Sequence, residues 1–170
     1  MRLLLFITLA VLTACSTKKA ETTSTAVDST AVDSVLATTR ANALLAYDAI
    51  PGFSANPKVA VPDSLNYFLI GSQEQLDLAF AATPGTPAPD FIINYIVGVV
   101  GQPSAYATTI AMEKVETSES SIDVYLTVTR GEKGKSTKPG QLFAIERREG
   151  YPVMQFYVNG KKDRALVLVQ

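Results

Sequence analysis

FIINYIVGVV, residues 91–100, is apolar at nearly every position. A strand with one buried face alternates apolar and polar residues, whereas a strand covered on both faces is apolar almost throughout. Ten residues are also too few to cross a bilayer as a helix, which takes about 20. The stretch therefore predicts a central β-strand with other elements packed on both sides.

The segments that follow this stretch alternate between apolar and polar residues, which predicts strands with one buried face. A polar turn at residues 116–121 separates the first two of them. One face of the first segment has Tyr106, Thr108, Ile110 and Met112, and one face of the next has Ile122, Val124, Leu126 and Val128. This pattern favours an antiparallel hairpin with Leu126 in the core.

Three more strands are predicted towards the C-terminus, at residues 142–147, 151–158 and 165–169. Asn159-Gly160 separates the last two, and Asn-Gly between apolar runs is a strong hairpin signal. A strict two-residue loop would set Phe156 opposite Asp163, so we expect a bulge or a wider loop in this hairpin.

Helix signals are confined to the part of the chain before residue 91. A strand at Tyr67-Phe68-Leu69-Ile70 precedes Ser72 and Gln75, which have the spacing of a capping box, and a helix is expected to about residue 81. A marginal helix is expected over residues 35–50. The predicted fold class is α+β and β-rich: a curled, mainly antiparallel sheet of about six or seven strands with one packed helix.

The N-terminus has the pattern of an export signal. Arg2 precedes an apolar run of about ten residues, the length of a signal-peptide core. The run closes with Leu12-Thr13-Ala14-Cys15, which resembles the lipobox of bacterial lipoproteins. The resemblance implies that Cys15 is lipidated, with palmitate among its acyl chains, and begins the mature protein. Ser16, which stands where an aspartate would suggest retention in the inner membrane, favours the outer membrane.

The chain is expected to have three parts. Residues 1–14 form the lipoprotein signal peptide, and residues 15–45 hold the lipidated cysteine, a flexible low-complexity tether and the marginal helix. Within the tether, Ser-Thr-Ala-Val-Asp occurs twice in succession. Residues 46–170 form a β-rich globular domain. By the scaling of flexible linkers, the tether would hold this domain about 25 Å from the lipid.

Composition excludes several kinds of chemistry. The chain has no histidine and one cysteine, so a Ser-His-Asp triad, a Cys-His pair and a histidine-ligated zinc site are excluded. The formal net charge of −1 argues against a nucleic-acid partner. We therefore predict no catalytic residue, no metal and no cofactor.

Two groups of residues are candidates for binding a protein. Lys133, Lys135 and Lys138 fall in a predicted loop at residues 131–140 and could contact an acidic partner. Tyr125 and Tyr157 lie on the predicted polar sides of their strands, where tyrosine can anchor an interface. A solvated loop and ordinary cross-strand packing are the alternative interpretations.

From about residue 67 to 160, the order of elements resembles the C-terminal domain of PrcB-like lipoproteins, which are small subunits of a bacterial surface protease complex. The similar stretches include the strand at residues 67–70, Pro89-Asp90-Phe91, and Ile122-Asp123-Val124-Tyr125-Leu126. Pro103-Ser104-Ala105 departs from the glycine pair of that family. The resemblance implies a non-catalytic accessory role with a protein partner.

The predicted function is that of a lipid-anchored envelope lipoprotein, in the periplasm or at the outer membrane, that binds or stabilises another envelope protein such as a protease. One alternative is a carrier that holds a small apolar ligand within the curled sheet. Another is an enzyme that uses carboxylates or a lysine. A carrier needs a cavity, and an enzyme needs a cleft with a displaced carboxylate pKa.

Overall fold

The computed structural model describes residues 43–168, so the signal peptide, Cys15 and the tether predicted at residues 16–35 lie outside the described residues. The described part contains ten strands and one helix. They are β1 Tyr47–Ile50, β2 Phe53–Ala55, β3 Leu65–Ile70, α1 Gln73–Ala79, β4 Phe80–Ala82, β5 Asn94–Gly101, β6 Ser104–Thr117, β7 Ser121–Thr137, β8 Gly140–Glu146, β9 Val153–Val158 and β10 Lys161–Val167.

The strands form two four-stranded sheets and a short two-stranded one. We call the sheet with the order β1-β8-β5-β3 the inner sheet and the sheet with the order β10-β9-β7-β6 the outer sheet. All pairs are antiparallel except β7 with β9. The predicted class, α+β and β-rich with one helix, is confirmed. The sequence pattern underestimated the number of strands, because β1, β2 and β4 are too short to show a two-residue alternation.

The main core lies between the inner and the outer sheet. Along β5, Tyr95, Val97 and Val99 face this core, while Ile96 and Val100 face the other side of the inner sheet. Leu126 of β7 is buried in the same main core. The prediction of a central strand covered on both faces is therefore confirmed for β5, which pairs with β8 on one edge and β3 on the other.

The other side of the inner sheet is covered by α1 and the β2-β4 pair. Ser72 caps α1, since its hydroxyl accepts a hydrogen bond from the Gln75 N–H at 3.3 Å. The side-chain oxygen of Gln75 accepts a hydrogen bond from the N–H of Gly71 rather than from that of Ser72. The chain leaves the helix at Ala79, two residues earlier than predicted, because Phe80 starts β4. The Phe80 ring packs directly on Gly98, where a Cβ atom would clash with it.

The predicted helix over residues 35–50 is wrong for the described residues 43–50. Leu44 forms a bridge with Glu116 of the outer sheet, and β1 then pairs with β8 of the inner sheet. The Tyr47 hydroxyl also donates to the carbonyl of Glu113 at 2.7 Å. Helix propensity is weak here, and pairing with two sheet edges overrides it. The folded part includes the buried Leu45 and so begins before residue 46.

The predicted β9-β10 hairpin is confirmed, together with its bulge. Asn159 and Gly160 both have positive φ, at 49° and 76°, as a two-residue hairpin turn requires. Lys161 and Lys162 pair in register with β9, and the register then shifts before Ala165. The bulge turns Asp163 towards the inner sheet, where its carboxylate accepts a hydrogen bond from the Tyr67 hydroxyl. Burial and this carboxylate raise the pKa of Tyr67, which stays neutral.

Candidate protein-binding face

The solvent-facing side of the outer sheet is not covered by any helix or strand of residues 43–168, whereas both sides of the inner sheet are covered. Its middle is occupied by two tyrosines. The parallel pairing of β7 with β9 sets Tyr125 directly opposite Tyr157. Their rings stack with centroids 4.7 Å apart and planes 9° from parallel. We call this side the tyrosine face and define it by Lys114, Glu116, Tyr125, Tyr157 and Lys162.

The parallel pairing follows from the path of the chain. Because β8 belongs to the inner sheet, the chain leaves the outer sheet after β7 and returns in the same direction as β9. In the register of this parallel pair, Tyr125 lies opposite Tyr157. The alternation within each strand correctly predicted that both tyrosines point away from the core, but it could not show that they touch.

Lysines lie at both ends of the tyrosine pair. Lys114 is opposite Tyr125, and its ammonium lies 4.2 Å from the centre of the Tyr125 ring. Lys162 is opposite Tyr157 on the other edge. The four residues therefore form one row, Lys-Tyr-Tyr-Lys, across the sheet. The sequence did not indicate Lys114, because a bulge after Met112 shifts the alternation of β6 just before it.

The electrostatics of this row keep both tyrosines neutral. Burial raises the pKa of Tyr125 to about 12, and its hydrogen bond with Glu116 adds to the rise. Burial also raises the pKa of Tyr157, with a further contribution from the charges of Asp123 and Glu116. Glu116 accepts a hydrogen bond from Lys114 at 2.8 Å, which lowers its own pKa. The row therefore presents two neutral rings between cationic side chains at neutral pH.

The next row of the face is also fixed by hydrogen bonds. Asp123 accepts from the Ser121 hydroxyl at 2.6 Å. Beside it, the Gln155 amide donates to the carbonyl of Arg164 at 2.8 Å. Both residues are buried although they lie on the polar side of their strands. The tyrosine pair thus stands on a rigid base, which lowers the entropy lost when a partner binds.

Lys133 and Lys135 are not in a loop, and the predicted loop at residues 131–140 is wrong up to residue 137. They belong to β7, which continues to Thr137 and pairs with the first half of β6. We call residues 104–109 and 129–137 the basic arm. Residues 129–137 of the arm are exposed, so they do not alternate between apolar and polar residues, and the sequence did not predict a strand there. Lys133 lies about 26 Å from Tyr125 along β7.

Lys138 has a structural role instead of a free surface position. Its ammonium donates to the carbonyl oxygens of Pro57 and Val59, both at 2.7 Å, and to that of Asn56 at 3.4 Å. These bonds tie the start of β8 to the turn after β2. The structure therefore separates Lys138 from the two other lysines with which the sequence grouped it.

We expect the change Lys138→Ala to lower the free energy of unfolding by about 1.5–3 kcal/mol, since it removes charge-assisted hydrogen bonds from partly buried carbonyls. Lys135→Ala is the matched control, because Lys135 is exposed, and its effect should stay within about 0.5 kcal/mol. Urea unfolding of both variants gives the measurement. Equal effects of the two changes would contradict the structural role of Lys138.

Within residues 43–168, no helix is long and apolar enough to span a membrane. The same residues contain no group of three or more Cys, Asp or Glu side chains placed to hold a metal ion. Comparisons with models of known families, with curated proteins and with solved structures found no match for the chain. The resemblance to PrcB-like lipoproteins therefore stays a prediction.

Proposed function

We propose that this protein is a lipid-anchored, non-catalytic envelope lipoprotein that binds another envelope protein through the tyrosine face. The observation that supports it is the difference between the two sheets. Within residues 43–168, the inner sheet is buried on both sides, while no helix or strand covers the outer side of the outer sheet, which has a stacked tyrosine pair at its centre. If the outer sheet served only the stability of the fold, a layer covering its outer side, like the layer on the inner sheet, would bury more apolar surface.

The chemistry of the tyrosine face suits a protein partner. Tyrosine is enriched at interface hot spots, because it offers a large apolar surface and a polar hydroxyl with little conformational freedom to lose. Here the two rings already support each other, and Lys114 and Lys162 extend the row on either side. Lys133 and Lys135 of the basic arm add positive charge along the same strand as Tyr125. A partner with an acidic surface would be attracted to this side.

The proposed anchor comes from the N-terminal pattern. Leu12-Thr13-Ala14-Cys15 supports lipidation, and several acyl chains on one residue would hold the protein stably on the membrane. Ser16 supports the outer membrane. A tether of the predicted length would let the tyrosine face search for a neighbour within a few nanometres of the surface. A protease is the partner class that the PrcB-like resemblance adds to this proposal.

Photo-crosslinking in intact cells tests whether the tyrosine face meets a partner. A photoreactive residue at position 157 should give a discrete crosslinked product. The absence of a product from position 157 would contradict the proposal.

With the crosslinked partner purified, the double change Tyr125→Ala and Tyr157→Ala should weaken binding about 30-fold or more, which corresponds to a hot spot of about 2 kcal/mol. Tyr106→Ala is the matched control, because Tyr106 is an exposed tyrosine of the basic arm outside the stacked pair. Calorimetry gives the affinities. A loss of less than twofold in the double variant would exclude the tyrosine face as the main contact.

A further inference from the structure

A cleft of about 600 Å³ opens at the end of the sandwich where β5 passes into β6. We call it the mouth cleft. Its volume falls within the range of about 300–1,000 Å³ that is usual for small-molecule sites. It lies between the two sheets, at the base of the basic arm and beside the β9-β10 turn, and so is separate from the tyrosine face.

The floor of the mouth cleft is apolar. Leu65 belongs to the main core, and Val128 and Val158 are partly buried hydrophobic side chains packed against that core. Pro103 and Pro139 add apolar surface to its walls. A ligand with a hydrocarbon part would therefore remove apolar area from water on both molecules, which is favourable.

The rim of the cleft is polar and carries one charged side chain, Arg130. Among residues 43–168, the ion pairs are Lys114 with Glu116, Arg148 with Glu146, and Arg164 with Asp63, so none of them involves Arg130. No hydrogen bond from its guanidinium to a described residue is formed either. Ser64 and Ser104 bring hydroxyl groups to the same rim.

The charges around the cleft favour an anion. Lys133 stands beyond Arg130 on β7, and Lys161 follows the turn at Asn159 and Gly160. Nearby carboxylates are already engaged, since Asp63 pairs with Arg164 at 2.7 Å and Asp163 accepts from Tyr67. Glu132 is the remaining acidic side chain of the arm. An arginine whose guanidinium has no partner among residues 43–168 matches a carboxylate or a phosphate, which it can bind through two parallel hydrogen bonds.

We infer that the mouth cleft binds a small amphipathic molecule with one carboxylate or phosphate group, which Arg130 holds while the hydrocarbon part lies on Leu65, Val128 and Val158. The inference is independent of the proposed function, because it uses neither the tyrosine face nor a protein partner. It gives the predicted alternative of a carrier a defined place and a defined ligand chemistry.

The experiment uses the full chain in lipid nanodiscs and four soluble probes: hexanoate, hexyl phosphate, hexanol and acetate. Methyl NMR signals of Val128 and Val158 report on the cleft itself, so they separate binding in the cleft from partition into lipid, and affinities are calculated from the free concentration of each probe. Hexanoate and hexyl phosphate should shift these signals saturably, which compares the carboxylate with the phosphate. Hexanol and acetate should bind at least about tenfold more weakly, because each lacks one half of the recognised chemistry.

Arg130→Gln should weaken hexanoate binding about 10- to 100-fold and bring it to the level of hexanol. The side chain of Arg130 is exposed and forms no ion pair with a described residue, so the Arg130→Gln variant should fold normally. Lys135→Gln is the control, since Lys135 lies five positions beyond Arg130 on β7 and outside the cleft lining, and it should change the affinity less than twofold. Equal binding of hexanoate and hexanol, no effect of Arg130→Gln, or an equal loss in both variants would overturn the inference.

Discussion

Replacing Cys15 by serine is expected to remove all fatty-acid label from the protein and to release it from the membrane, or to leave an uncleaved precursor. The sulfur is the atom that accepts the lipid, and the hydroxyl of serine cannot replace it as a nucleophile at neutral pH. The measurement is metabolic labelling with palmitate, followed by separation of membrane and soluble fractions.

The single cysteine makes this test unambiguous, because no other thiol of the chain can take the label. Ser16→Ala is the matched control: it changes the neighbouring residue and should leave the label in place. Label that persists in the Cys15→Ser variant would refute the anchor and, with it, the proposed place of the protein in the envelope.

Replacing Ile96 or Leu126 by alanine is expected to lower the free energy of unfolding by about 2–5 kcal/mol for each change. Ile96 is 0% exposed between the inner sheet and its covering layer, and Leu126 is 1% exposed in the main core. Each truncation would leave a cavity that the surrounding β-strands cannot close. Because small domains are stable by only about 5–15 kcal/mol, either loss would remove a large share of the stability.

Two matched controls use the same substitutions at exposed positions. Ile92 is 84% exposed and Leu78 is 69% exposed, so alanine at either site should change stability by less than about 0.5 kcal/mol. Chemical denaturation of the four variants gives the comparison. If Ile96→Ala and Ile92→Ala cost the same, the assignment of residue 96 to a doubly covered strand is wrong.

The comparison of Ile92 with Ile96 also shows the limit of a sequence pattern. The whole stretch FIINYIVGVV predicted one buried strand, but β5 begins at Asn94. The Asp90 carboxylate accepts hydrogen bonds from the N–H groups of Ile92 and Ile93, at 2.8 and 3.0 Å, and so fixes a turn. These bonds also lower the pKa of Asp90. Hydrophobicity alone cannot separate an apolar turn from the strand that it precedes.

The sequence also predicted only part of the candidate protein-binding site. Alternation along β7 and β9 correctly placed Tyr125 and Tyr157 on the polar sides of their strands. It could not place Lys114 beside them, because the bulge in β6 changes the facing of that strand. It grouped Lys138 with Lys133 and Lys135, although the ammonium of Lys138 is bound to the carbonyls of a distant turn.

Features that depend on residues close together in the chain could be predicted from the sequence alone. Periods of two residues, the capping spacing of Ser72 and Gln75, and Asn159-Gly160 each act through bonds within a few positions, so they can be recognised locally. Contacts between distant segments determine which strands share a sheet and that β7 and β9 run parallel. The same contacts cover the inner sheet on both sides and leave one side of the outer sheet uncovered within residues 43–168. Those outcomes depend on contacts between segments far apart in the chain, where burial of a shared core selects one pairing among many that the local patterns allow.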